Sequence, residues 1–221
     1  MNKNEVLRRI EEIGVVPVVR ASSAEEAMGV IEAIRAGGVS VLEITMTVPR
    51  AVRVIEQVAD RYGAEVVVGA GTVLDPETAR ACILAGAAFV VSPSLNTKTI
   101  ELCRRYSVAV MPGALTPTEV VTAWQAGADV VKVFPCGALG GAKYLKSLKA
   151  PLPQIEMIPT GGVSLQTAAE FIEAGALALG VGADLVDTKA IRAGQPEKVT
   201  EAARAYVAAV RAARGEAANA L

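Results

Sequence analysis

Short runs rich in valine and isoleucine alternate with longer segments in which apolar residues recur at helical spacing, from one end of the chain to the other. The pattern predicts strand and helix in turn. A leading helix is expected over residues 1–12, from Asn2 to Glu12, and a first strand from Val15 to Arg20. Ser23 to Ala36 reads as a helix with Ser22 or Ser23 as N-cap and with Glu25 and Glu26 near its positive end. Val39 to Thr45 is the second strand and Arg50 to Tyr62 its helix. Strands three to eight are predicted at Glu65 to Gly69, Phe89 to Ser92, Val108 to Met111, Val130 to Phe134, Glu156 to Pro159 and Ala178 to Val181. Two intervening helices open with proline just inside the start, at Asp75-Pro76 and Thr116-Pro117.

An internal repeat supports this count. Ala36-Gly37-Gly38, Ala85-Gly86-Ala87, Ala126-Gly127-Ala128 and Ala174-Gly175-Ala176 each stand where a helix ends and a strand begins, with the central glycine placed as a left-handed cap. Those glycines recur about 41 to 49 residues apart, two strand-helix units per step. Eight parallel strands with helices outside predict an α/β fold, a single (β/α)8 TIM barrel with an extra N-terminal helix. One domain is expected over residues 1–221, with about 214–221 as a frayed tail. An open doubly wound sheet is the structural alternative.

Composition agrees with that architecture and narrows the partners. The hydrophobic fraction is 52% with only 4% aromatics, so the apolar content is mostly Ala, Val, Leu and Ile, as parallel strands under helices require. The formal net charge is -1, and no basic block suggests a nucleic-acid partner, so a small-molecule ligand fits better. No apolar run approaches the roughly twenty residues that span a bilayer, and Met1-Asn2-Lys3-Asn4-Glu5 does not begin a signal peptide. A cytoplasmic protein without a membrane partner is expected. Cys82, Cys103 and Cys136 are odd in number and widely spaced, which argues against a disulfide framework and a zinc site. With no histidine in the chain, a Ser-His-Asp triad and every His-based metal site are excluded. Acid-base chemistry falls to carboxylates, lysine, tyrosine or water.

Chemistry in such barrels sits at the C-terminal ends of the strands. There the chain places Arg20, Glu43 and Thr45, Thr72, Ser92-Pro93, Lys132 and Phe134, Thr160-Gly161-Gly162, and Gly180-Val181-Gly182. Lys132 interrupts the apolar run Ala128 to Pro135. Alone, it reads as a lysine that snorkels to the sheet rim. Glu43 is an equally misplaced carboxylate on the second strand, on the same face as Thr45 and opposite to Leu42, Ile44 and Met46. An ion pair that merely holds the core is one account of the two. An amine nucleophile with an acid-base partner explains them better, because burial favours the neutral, nucleophilic amine and a buried pair adds little net stability. The Gly161-Gly162 and Gly180-Gly182 loops follow strands seven and eight, where barrels hold phosphate. Gly69-Ala70-Gly71-Thr72 lacks the third glycine of a dinucleotide fingerprint, so NAD is discounted and Thr72 reads as a hydroxyl donor to substrate. Trp124 and Tyr144 read as packing residues inside helices.

Glu43-Ile44-Thr45, Gly69-Ala70-Gly71-Thr72-Val73, Ser92-Pro93, Pro112-Gly113, Lys132-Val133-Phe134-Pro135 and Thr160-Gly161-Gly162 occur together in one order. In this the chain resembles the 2-keto-3-deoxy-6-phosphogluconate (KDPG) aldolase and 4-hydroxy-2-oxoglutarate (KHG) aldolase family, from about Val15 to Val186. The resemblance implies a homotrimeric class I aldolase acting on a 2-keto acid, with no metal or cofactor, in which Lys132 forms a Schiff base with pyruvate and Glu43 shuttles protons. It further implies that Thr72, Pro93 and Thr160 line the pyruvyl end, that Phe134 packs beside the imine, and that Gly161 and Gly162 approach the phosphate. Two departures stand out. Thr47 occupies the place where many members carry a substrate-holding arginine, so Arg20 is expected to supply the cation, beside Thr45 and Thr47. Ala183, after Gly182, stands where members use a phosphate-binding serine. A phosphosugar isomerase or epimerase, a non-catalytic sugar-phosphate binder, and an aldolase of the galactonate series are the rival readings.

Overall fold

A computed structural model describes residues 1–215. Nine short strands form, β1 (Val15–Val19), β2 (Val41–Thr45), β3 (Val67–Gly71), β4 (Phe89–Val91), β5 (Ala109–Met111), β6 (Gly113–Ala114), β7 (Val131–Val133), β8 (Met157–Pro159) and β9 (Leu179–Val181). The helices are α1 (Lys3–Ile13), α2 (Ala24–Ala36), α3 (Ala51–Tyr62), α4 (Pro76–Leu84), α5 (Thr97–Arg105), α6 (Pro117–Ala126), α7 (Ala142–Lys149), α8 (Ala168–Glu173), α9 (Thr188–Arg192) and α10 (Pro196–Ala213). Their starts carry the expected chemistry. Asn2 and Thr116 close reciprocal capping boxes with Glu5 and Glu119, Ser23 caps α2, and Asp75 and Thr116 precede a proline in the first turn.

Six strands pair in the order β5-β4-β3-β2-β1-β9 and three in the order β6-β7-β8, every pairing parallel. The expected fifth strand is thus two pieces, divided at Pro112. Proline has no N–H to give to a ladder. Its carbonyl still accepts from Lys132 N–H at 2.9 Å, while Val110 accepts from Asp129 N–H at 3.1 Å, so this one segment touches both sheets. At the other margin Thr160 makes a parallel bridge to Gly180, and Leu177 N–H donates to Met157 at 2.9 Å. The result is a curled parallel sheet with helices packed on its outer face. The third strand begins two residues later than expected because Gly63–Glu65 forms a 3-10 turn, and it runs two residues further, taking in Ala70 and Gly71.

Strand parity sorts the side chains into two cores. Val15, Val19, Leu42, Ile44, Val68, Ala70, Val131 and Val133 pack outward beneath the helices. Val16, Val41, Val67, Phe89, Ala109, Met111, Val130 and Ile158 pack inward, and Val6 and Ile10 of α1 join them. The leading helix therefore closes the N-terminal end of the strands. A Cβ at Gly69 would lie 2.3 Å from the Phe89 ring, so this glycine makes room for the largest inward side chain.

Three expectations need correction. In the first repeat Gly38, not Gly37, is left-handed, at φ 89°; Gly37 is required instead by close packing, since its Cβ would lie 2.5 Å from Ala203 of α10. Trp124 is 44% exposed and does not pack in the core, whereas Tyr144 is partly buried and donates its hydroxyl to the Leu115 carbonyl. At the start of the expected frayed tail, Arg214 is pinned by bonds to the Glu11 and Leu177 carbonyls, at 2.7 and 2.8 Å. Residues 216–221 of that expectation lie outside the described residues. Among the described residues no helix is long and apolar enough to cross a membrane.

Candidate active site

Glu43 lies at the middle of β2 and Lys132 at the middle of β7, both on inward positions above the apolar floor. They are 2% and 4% exposed, and Lys132 Nζ stands 3.6 Å from Glu43 Oε1. That separation is an ion pair but too long for a hydrogen bond, and Glu43 Oε1 has no hydrogen-bond partner within the protein. A buried carboxylate oxygen with an unspent lone pair beside an amine is a place for proton exchange. The register makes the meeting possible. Glu43 sits level with Gly69 on β3, and a Cβ on Gly71 would fall 2.6 Å from Glu43 Oε1, so the absence of a side chain there sets where the carboxylate rests. Lys132 is level with Gly113, where a Cβ would lie 2.2 Å from the Pro93 backbone, so only glycine lets Pro93 come this close. The Phe134 ring lies over Lys132, its centroid 5.5 Å from Nζ.

Beside this pair is a cavity of about 250 Å³ lined by Val18, Arg20, Phe134, Thr160, Gly161, Gly162, Val163, Gly182, Ala183 and Asp184. Phe134 belongs to both regions and joins them. Gly161 and Gly162 adopt φ values of 81° and 82°, conformations that glycine accepts without strain, and a Cβ on Gly162 would meet Gly137 Cα at 2.7 Å. Thr160 sits where Gly180 leaves room: a Cβ on Gly180 would lie 2.1 Å from its hydroxyl oxygen. Residues 183–185 turn back so that Leu185 and Val186 N–H donate to the Gly182 carbonyl.

The structure thus gathers Arg20, Phe134, Thr160, Gly161, Gly162, Gly182 and Ala183 around one space, with Lys132 and Glu43 beside it. Thr45, Thr47, Thr72 and Pro93 do not line it. The Thr45 hydroxyl donates to the Val19 carbonyl at 3.1 Å, so at 2.6 Å it accepts from Thr47; both hydroxyl protons are engaged within the protein. Thr72 follows β3 in a left-handed conformation, φ 58°, and Pro93 reaches the site through its backbone at Gly113. Arg20 lines the cavity and Thr47 does not.

Reading the strand ends alone missed Val18, Val163 and Asp184. Val18 was legible, being two residues before Arg20 and so on the same strand face. Asp184 accepts from Leu165 N–H at 3.0 Å and from the Tyr206 hydroxyl at 2.5 Å, which ties the loop after β9 to the loop after β8 and to α10. Burial and this carboxylate both push the Tyr206 phenol up, so it stays a donor. Its sequence position gave no signal for that role.

A family model described as KDPG and KHG aldolase matches residues 6–202. The chain belongs to this family. It is therefore an aldolase, a carbon-carbon lyase. Among relatives of the family, a 2-dehydro-3-deoxy-6-phosphogalactonate aldolase of Escherichia coli (strain K12) is 36% identical over 90% of this chain and 95% of its own length. The KHG/KDPG aldolase of the same organism is 34% identical, over 87% of this chain and 90% of its own. A solved structure of KDPG aldolase from Legionella pneumophila, with pyruvate captured at low pH as a covalent carbinolamine intermediate, superposes with a TM-score of 0.84. It is 28% identical and the match covers 91% of this chain and 97% of that one.

Proposed function

We propose that this chain is a class I aldolase that cleaves KDPG to pyruvate and glyceraldehyde 3-phosphate, and KHG to pyruvate and glyoxylate. The observation that carries the reading is the buried Lys132–Glu43 pair at 3.6 Å, on the inward face one residue pair beyond the floor that α1 closes. The Lys132 ammonium passes a proton to Glu43 and the freed amine attacks the C2 ketone; the carbinolamine then loses water as Glu43 returns that proton to the departing hydroxyl, which leaves the protonated imine and the Glu43 carboxylate. The protonated imine then withdraws electrons from C3. Glu43, acting through a water, takes the proton of the C4 hydroxyl; the C3–C4 bond breaks, the aldehyde leaves and its bonding pair becomes the enamine. Glu43 gives the proton it took from the C4 hydroxyl to C3, and addition of water to the resulting imine releases pyruvate and returns the amine. Phe134 would pack beside the imine, with Thr72, Pro93 and Thr160 around the pyruvyl group and Thr45 and Thr47 bracing the β2 end. Arg20 and the Gly161-Gly162 and Gly182-Ala183 backbone would hold the phosphate.

Several wider features belong to the same proposal. The two sheets are read as one closed eight-stranded (β/α)8 barrel, supported by the shared segment at Pro112 and the Thr160–Gly180 bridge, and the chain as one domain. A cytoplasmic homotrimer would cover exposed apolar side chains such as Leu84 and Trp124. The test is borohydride reduction in the presence of pyruvate, with the expected adduct on Lys132; no adduct, or one on Lys98 or Lys143, overturns the reading. A second reading, the galactonate-series epimer of KDPG as substrate, is favoured by the 36% identity to the phosphogalactonate aldolase. Rates on the two C4 epimers decide between them.

A further inference from the structure

The loop that carries Arg20 is held by an arrangement that an ordinary helix cap does not need. Ser23 caps α2 through Glu26 N–H at 3.1 Å, and a reciprocal capping box would return the Glu26 carboxylate to Ser23 N–H. It reaches one residue further instead. Glu26 Oε2 accepts from Ser22 N–H at 2.5 Å and from the Ser22 hydroxyl at 2.7 Å, which draws in the residue two places after Arg20. Its other oxygen, Oε1, pairs with Arg192 Nη1 at 2.8 Å. Arg192 belongs to α9, the helix that follows the Gly182-Ala183 loop, and α9 lies close on α2, since a Cβ at Gly29 would stand 3.1 Å from Ile191 Cγ2. The Glu26 side chain is 6% exposed while that of Arg192 is 54% exposed. Burial would raise the Glu26 carboxyl, but the bonds from Ser22 and the Arg192 charge outweigh it and hold it below the ordinary range, so the strap is ionic at neutral pH.

Arg20 and Ala183 both line the cavity, just past the ends of the paired strands β1 and β9, and Glu26–Arg192 links α2 and α9, the helices that follow them. We propose that Glu26 and Arg192 are positioning residues that set the separation of Arg20 from the Gly182-Ala183 loop and thereby the preference for a phosphorylated over an unphosphorylated aldol substrate. The proposal rests on the aldolase reading above. With alanine in place of a hydroxyl in the last loop, a single side-chain cation and backbone amides must grip the anion, so their spacing governs its binding. A displaced binding group costs affinity for the phosphate while the chemistry at Lys132 proceeds unchanged.

The experiment measures kcat and KM on KDPG and on KHG for the parent and for Arg192→Ala, Arg192→Lys, Glu26→Gln and Arg20→Ala. Arg192→Ala removes a half-exposed side chain and is expected to fold. It should raise KM for KDPG roughly tenfold, with kcat on KDPG and both constants on KHG within about twofold of the parent. Arg192→Lys should recover most of the loss, and Glu26→Gln should act in the same direction. Equal losses on both substrates, or an unchanged KDPG-to-KHG ratio in a folded Arg192→Ala protein, would overturn the positioning role. Arg20→Ala separates the two levels. If it lowers the ratio while Arg192→Ala does not, the anion site stands and only the strap fails. If neither moves the ratio, the anion site fails with it.

Discussion

At the N-terminal end of the strands the inward positions are Val16, Val41, Val67, Ala109 and Val130, filled against Val6 and Ile10 of α1. Two residues further along, the same faces carry Val18, Glu43, Gly69, Met111 and Lys132. Parity is identical at the two ends, and both Glu43 and Lys132 are as buried as the valines below them. What differs is the lid. A helix seals the first end, so only apolar packing is stable there, whereas the second opens between loops onto a cavity where a polar molecule can enter. On the proposed reading, burial beside an entrance is what would make these two charges useful, where a sealed pair would only burden the fold.

The sharpest way to break this contrast is to remove the amine. Lys132→Ala is expected to abolish aldol cleavage, by roughly four orders of magnitude or more, and to lose the borohydride adduct; circular dichroism should show a folded protein. Glu43→Gln should cost about 10²- to 10⁴-fold in kcat while pyruvate still forms an adduct, because the nucleophile is intact and the proton carrier is not. Gly71→Ala probes the placement of the carboxylate. Its new Cβ would stand 2.6 Å from Glu43 Oε1, and a loss in kcat of up to about 10²-fold is expected with little change in KM. Ile10→Ala strikes the closed end: denaturant unfolding should show a loss of about 2–5 kcal/mol, with kcat unaltered. Smallest is Glu119→Gln, on the α6 capping box. Hydrogen bonds from Thr116 and Leu115 N–H hold this carboxyl below its ordinary range, so its contribution is present near neutral pH and is lost as pH falls through the depressed value. The variant should unfold about 1 kcal/mol more easily at pH 7, and the difference should vanish once the pH falls below the depressed value.

Much of the site was legible because strand parity is local. Glu43 and Lys132 stood out as charges inside apolar strands, and Arg20 and Thr160 as polar residues at strand ends. The threonines show the limit of that method. Thr45 shares the Glu43 face, yet its hydroxyl is spent on Val19, and Thr47 is spent on Thr45. A hydroxyl reads the same in sequence whether it faces a ligand or a neighbouring carbonyl. Asp184 and the Glu26–Arg192 strap were invisible for another reason, since their partners lie on elements brought together only by the curl of the sheet.

The sequence by itself determined the alternation of strand and helix, the helix starts, the two charges out of place and the glycine-rich turns, because propensity, capping and side-chain period act over a few neighbouring residues. Only the tertiary structure decided that Glu43 and Lys132 meet, that Pro112 splits a strand between two sheets, that Gly37 is there for a helix contact while Gly38 makes the turn, and that Trp124 faces outward. Each of these depends on the approach of segments far apart in the chain, which is set by how the whole sheet twists and packs and not by any local preference.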